Sequence, residues 1–215
     1  MENILGHTDN TRYLTLEIAR LEKLLWNWLQ LEKQRPPFKI VALEKALTVT
    51  LGPVTANFRI DRIDELLQET TETKQLIIDY KTGKELNRSD WFSARLNEPQ
   101  LPIYCIANPE ETLGIAFGSV HPSSLKMMGV SKAPVNMNEI DLLSAVKQAD
   151  ATLWSEQIRI WQQNLTHLAD DFHSGKAHVD PKKNELTCRR CGLQSLCRIH
   201  ELTEFYDDNY STSSS

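Results

Sequence analysis

The sequence predicts an α/β (α+β) chain built on a mixed central sheet flanked by helices, with a long C-terminal helix and a Cys-rich loop. Three observations lead there. Leu14, Ile18, Leu21, Leu25 and Trp28 recur at the three-four spacing of an amphipathic helix. Between residues 38 and 83 that period gives way to short apolar and β-branched runs separated by turn-forming residues. From about Asn138 to Phe172 the helical period returns, through Ile140, Leu143, Val146, Leu153, Trp154, Ile158, Trp161, Leu165 and Leu168. At 215 residues, 40% hydrophobic and 25% charged, the chain is long enough for one sizeable core. It therefore reads as a single domain over 1–215.

Residues 1–10 form a loose lead-in, with Asp9, Asn10 or Thr11 as candidate N-caps for a helix over 11–35 that packs on the sheet and stops at Pro36-Pro37. A core over 38–120 follows. Phe38–Leu43 and Ala46–Leu51 are β-prone, and Gly52-Pro53 turns the chain into the run Phe58-Arg59-Ile60-Asp61-Arg62-Ile63-Asp64. Glu69–Lys74 is polar enough for a hairpin connection, so the next run, Leu76-Ile77-Ile78, is its antiparallel neighbour. Residues 87–99 form a polar loop whose Trp91 and Phe92 either stack on a nucleic-acid strand or seal a core edge. Residues 100–107 are a short helix, and Leu113–Val120 is a buried strand. Residues 122–136 are loop-like, with Met127-Met128 as packing filler. The long helix, 138–174, closes at Ser174-Gly175; a basic Cys-rich segment, 176–200, and a low-complexity tail, 201–215, complete the chain.

The chemistry gathers at 75–84. Strand side chains alternate, so Asp79 and Lys81 share one face while Tyr80 takes the other. A carboxylate beside an ammonium suits metal-assisted phosphodiester hydrolysis, since Mg²⁺ takes one or two protein carboxylates and a lysine orients water or stabilises developing charge. By the same parity Asp61 and Asp64 face opposite sides, so at most one of them joins Asp79 unless a bulge intervenes. Gln100 and Tyr104, four apart, share a helical face. Glu44, in or beside the first strands, is a candidate accessory ligand or an exposed strand glutamate.

In order, Ile60-Asp61-Arg62-Ile63-Asp64, Ile78-Asp79-Tyr80-Lys81-Thr82-Gly83 and Gln100-Leu-Pro-Ile-Tyr104 resemble the PD-(D/E)XK nucleases of the RecB and AddB type over roughly residues 38–200. The resemblance implies a restriction-endonuclease-like core and an exonuclease-type, metal-dependent DNA nuclease of repair and recombination, with DNA and a helicase or helicase-nuclease subunit as partners. It implies that Asp61, Asp79 and the Tyr80 backbone carbonyl hold Mg²⁺ or Mn²⁺, that Lys81 is catalytic, and that Gln100 and Tyr104 contact DNA. Phe58 stands where the family often has glycine, and nothing before Glu44 replaces the family's upstream His or Glu ligand; His7 sits in the lead-in.

Cys188, Cys191 and Cys197 form a Cys-x2-Cys-x5-Cys cluster, which in a cytoplasmic chain favours metal or cluster ligation over disulfides. The resemblance implies a [4Fe-4S] cluster whose fourth cysteine is not in this chain. Cys105 reads as a buried small hydrophobe. Between Lys176 and Arg198 six basic residues, 176, 182, 183, 189, 190 and 198, face Asp180 and Glu185, a segment that either tracks a phosphate backbone or is a solvated face. The net charge of −5 argues against a protein that coats nucleic acid, and the lack of a membrane-length apolar run or signal-peptide pattern places it in the cytoplasm. Two readings stand beside the nuclease: a catalytically weak DNA-binding or scaffolding module that needs a partner or a missing N-terminal segment, and a small zinc-binding interaction protein.

Overall fold

The computed structural model describes residues 8–67, 75–83, 86–182, 185–189 and 191–197. The Glu69–Lys74 connection, His7, Lys183, Arg190 and Arg198 lie outside the described residues. The chain divides into two compact units, Met1–Ala169 and Asp170–Ser215.

The first unit carries a six-stranded sheet in the order β1-β2-β3-β4-β5-β6. Its strands are β1 (Phe38–Leu51), β2 (Val54–Leu66), β3 (Gln75–Lys81), β4 (Thr112–His121), β5 (Ser124–Ser131) and β6 (Ile140–Leu142). β1, β2 and β3 pair antiparallel, as expected. The two β-prone runs before Gly52 are one continuous strand, and Gly52, at φ 53°, opens a two-residue hairpin turn whose first central position asks for glycine. β3 pairs with β4 in parallel across the helix α2 (Gln100–Ala107). The sheet is therefore mixed, with β3 at its middle and buried on both faces.

Each face has its own apolar core. Ile63, Ile77, Ile115 and Phe117 pack with Tyr104 and Cys105 of α2 and with Trp154, Ile158 and Trp161 of α3 (Trp154–His173); we refer to this as the front. Leu66, Leu76, Ile78, Leu113, Ala116 and Met127 pack with Trp28 near the end of α1 (Thr8–Glu32); this is the back.

Three sequence expectations change. α1 begins at Thr8, ahead of the expected caps, and meets the sheet through Trp28 and Leu31 while Leu14, Ile18, Leu21 and Leu25 stay exposed. At 25 residues the helix is about 37 Å long, and only its last turns reach the sheet's apolar surface. The loop expected over 122–136 contains β5, an antiparallel partner of β4 in which Met127 and Met128 are buried. The long helix starts at Trp154 rather than Asn138: Ile140 lies in β6, parallel to β5, and Leu143 opens a 3-10 turn. Three-residue spacing of apolar side chains does not separate a helix from a short strand followed by a turn. Among the described residues no helix is long and apolar enough to cross a membrane.

In the second unit Gly175, at φ 74°, closes α3 as expected, with Lys176 N–H bonded to Asp171 C=O at 3.0 Å. Two single-turn helices, α4 (Glu185–Cys188) and α5 (Gln194–Cys197), follow.

Candidate active site

The site forms where β2 and β3 part. Their ladder runs from Glu65↔Gln75 to Arg62↔Ile78 and stops there, one residue short of Asp61 and Asp79. Across that gap Asp61 Oδ2 accepts a hydrogen bond from the Tyr80 N–H at 2.8 Å, so a side chain takes the place of the missing strand carbonyl. An extended residue sends its N–H and C=O toward the same neighbouring strand, which turns the Tyr80 carbonyl to this edge as well.

Asp79 is 2% exposed, and the Lys81 Nζ stands 2.8 Å from its Oδ2. Among the described residues this ammonium is the only polar group that meets the buried Oδ2. Burial raises the Asp79 pKa above the ordinary carboxylate value; the Lys81 ammonium opposes the shift, while the charges of Asp61 and Glu98 add to it. Burial pulls the Lys81 pKa down, but the carboxylates of Asp79 and Glu98 outweigh it and hold the ammonium above its usual value.

Glu98, in the loop before α2, lies 3.6 Å from Lys81 Nζ and had no place in the sequence reading. Loop residues have no parity to reveal the face they meet. The one signal available was its position two residues before Gln100.

Gln100 and Tyr104 come together on α2, bonded to one another. Tyr104 is fully buried; its hydroxyl accepts from Gln100 Nε2 at 2.7 Å and donates to the Arg59 carbonyl at 2.5 Å. Tyr104 therefore braces β2 two residues ahead of Asp61, and burial pushes its phenol pKa up. Gln100 remains partly exposed. Trp91 and Phe92 are core residues, and Trp161 Nε1 donates to the Trp91 carbonyl at 2.8 Å; of the two alternatives for that loop, sealing the core edge is the one found.

Glu44 stands across β1 from Asp61, between the pairs Leu43↔Arg62 and Lys45↔Ile60. Its backbone has φ 48°, its side chain is exposed, and its carboxylate lies 3.5 Å from Arg59 Nη1. The structure does not bring it to Asp61 and Asp79, because the left-handed residue breaks the alternation that would have aimed it there.

Asp64 takes the opposite face from Asp61, as parity requires. It is fully buried behind the sheet, where Arg62 Nε and Nη2 donate to it at 2.6 and 2.8 Å and Arg35 Nη2 at 2.6 Å. Glu32 on α1 accepts from Arg35 at 2.8 Å and from Arg62 at 3.1 Å. Arg62 Nη1 also donates to Tyr80 Oη at 2.8 Å. Two guanidinium groups against two buried carboxylates make this cluster a charge-balanced structural unit, with Glu32 Oε1 and Arg35 Nε buried and without a hydrogen bond among the described residues.

Among the described residues no three His, Cys, Asp or Glu gather as a metal-binding group. A pair of carboxylates, one with a buried oxygen met among the described residues by the Lys81 ammonium alone, beside a backbone carbonyl fits a hard divalent cation that keeps much of its water shell. In the second unit Cys188, Cys191 and Cys197 are free thiols within one short segment, with Cys197 Sγ 3.5 Å from the Gln194 carbonyl. Cys105 is buried in the front core, as expected, and burial raises its thiol pKa strongly.

Comparison with curated proteins found no match. The family model of the PD-(D/E)XK nuclease superfamily matches residues 3–198, a span that takes in the mixed sheet, the Asp61, Asp79 and Lys81 constellation and the Gln100–Tyr104 helix. The chain belongs to the PD-(D/E)XK nuclease superfamily.

Proposed function

We propose that this chain is a Mg²⁺- or Mn²⁺-dependent deoxyribonuclease of the RecB and AddB type, acting in the cytoplasm on DNA in repair and recombination beside a helicase. The single observation that carries the reading is the Asp79–Lys81 pair at the end of a buried strand, with Asp61 across the parted ladder.

Asp61, Asp79 and the Tyr80 carbonyl hold the cation, which when bound polarises the phosphate and makes its water more acidic. Lys81 Nζ reorients from Asp79 to donate to the attacking water or to the phosphate oxygens, where charge grows in the transition state. Glu98 keeps the ammonium over the site while Asp79 is engaged. Gln100, partly exposed beside Lys81's strand, is the residue of its helix left to meet DNA, and Tyr104 holds the β2 backbone still. An exonuclease mode and a [4Fe-4S] cluster on Cys188, Cys191 and Cys197, with a fourth ligand from outside this chain, extend the same reading. Iron content and visible absorbance of the purified chain test the cluster; zinc in its place supports an interaction role for that segment.

The second reading, a DNA-binding or scaffolding module needing a partner, is favoured by the absence of a third gathered ligand among the described residues. One experiment separates the two. Linear single- and double-stranded DNA is incubated with Mg²⁺ or Mn²⁺ and the chain, its Asp79→Ala form or its Lys81→Ala form. Degradation lost in both variants establishes the nuclease; an inactive parent that still binds DNA points to the scaffold.

A further inference from the structure

Tyr80 lies between the two residues that define the site, yet its side chain points away from them. The ring sits edge-on to Trp28 of α1, with centroids 5.6 Å apart and an interplanar angle of 73°. Beside both rings is Gly118 of β4, where an added Cβ would lie 2.8 Å from Tyr80 Cδ1, 2.9 Å from Cε1 and 3.3 Å from Trp28 Cη2. The hydroxyl accepts from Arg62, and Arg62 is itself locked by Asp64 and Glu32. Three elements besides its own strand thus converge on one side chain.

The backbone explains why such a clamp is useful. On the β2 side the ladder has ended, and the Tyr80 N–H is bonded to the Asp61 carboxylate instead of a strand carbonyl. The β4 ladder holds Asp79, Tyr80 and Lys81 along the opposite edge, but nothing regular fixes them on the β2 edge. A ring wedged from behind adds a constraint there, because groups behind a metal ligand set its orientation.

We infer that the Tyr80 side chain, clamped by Arg62, Trp28 and Gly118 on the back of the sheet, is a positioning residue for the divalent cation on the front. It holds the Asp79–Tyr80–Lys81 backbone, and with it the Tyr80 carbonyl, in the gap opposite Asp61. This rests on the proposal that the front binds a divalent cation.

The test is Mn²⁺ binding to the full chain, by calorimetry and by the electron paramagnetic resonance of free Mn²⁺, without DNA. Tyr80→Phe deletes only the hydroxyl, Gly118→Ala pushes a methyl into the ring, and Leu113→Val loosens the same back core at the far end of β4. The expected result is a roughly tenfold rise in the Mn²⁺ dissociation constant for Tyr80→Phe and for Gly118→Ala. Leu113→Val melts lower and keeps the parental affinity. Parental affinity in a folded Tyr80→Phe overturns the inference whatever its melting temperature, and so does equal weakening in Leu113→Val. A parent that binds no Mn²⁺ overturns the cation reading itself and this inference with it. Tyr80→Phe alone decides the matter where Gly118→Ala does not fold.

Discussion

Two charged clusters lie on the same pair of strands, back to back, and they are built on opposite plans. Behind the sheet two guanidinium groups, Arg35 and Arg62, meet two carboxylates, Glu32 and Asp64, in a buried set of hydrogen bonds at 2.6 to 3.1 Å. In front, the carboxylates of Asp79 and Glu98 share the ammonium of Lys81, and the charge of Asp61 acts on Asp79 as well. The back is charge-balanced; the front carries surplus negative charge beside an open edge. A balanced cluster fixes a structure, since breaking it strands a buried charge. A cluster with surplus carboxylates costs stability and is complementary to something that brings positive charge. Tyr80 joins the two, with its hydroxyl in the back cluster and its N–H on Asp61.

Replacing one member of each cluster should separate their roles. Lys81→Met removes the front ammonium, and DNA hydrolysis should fall about 100- to 1000-fold while the fold, read by circular dichroism, is kept. If activity survives, the front is not the catalytic face. Asp64→Ala should instead lower stability by about 3–5 kcal/mol in a urea titration, because both guanidinium groups lose their shared buried acceptor. A loss under about 1 kcal/mol would mean that the back cluster does not hold the fold.

Smaller effects sharpen the contrast. Tyr104→Phe deletes the hydroxyl that braces Arg59 and should cost about 1 kcal/mol of stability. Its DNA affinity should keep the parental salt dependence, since a fully buried phenol meets no phosphate. The smallest effect concerns pH. Burial raises the Asp79 pKa on folding, so the folded state holds that proton more tightly than the unfolded chain. The cost of the charged form is absent below the ordinary Asp value and complete above the raised folded value. Asp79→Asn should therefore melt above the metal-free parent at neutral pH, and the difference should vanish as pH drops below the ordinary Asp value. A scan of melting temperature against pH reads this directly, and an advantage that grows toward acid would reverse the assignment.

Much of this arrangement was legible in the residues. The turn at Gly52-Pro53, the buried run Leu76-Ile77-Ile78 and the alternation of Asp79, Tyr80 and Lys81 all follow from local rules, as does the parting of Asp61 from Asp64. The helix expected from Asn138 failed because Ile140, Leu143 and Val146 fit a helical stripe as well as they fit a strand followed by a turn. Glu98 escaped because a loop has no period, and the bond from Tyr104 to the Arg59 carbonyl was not legible because its partner lies 45 residues away.

The sequence by itself determined which side chains share a face, because the period of a strand or helix is a property of adjacent peptides. It put Asp79 and Lys81 on one face on those grounds, and the resemblance to the nuclease family added Asp61. Only the tertiary structure decided what each face meets: α2 and α3 in front, the end of α1 behind, Glu44 turned outward, Tyr80 wedged on Gly118, and Arg62 tied to Glu32. Those outcomes depend on contacts between residues far apart in the chain, and such contacts leave no periodic trace in a sequence. The front was written locally; its backing was assembled by packing.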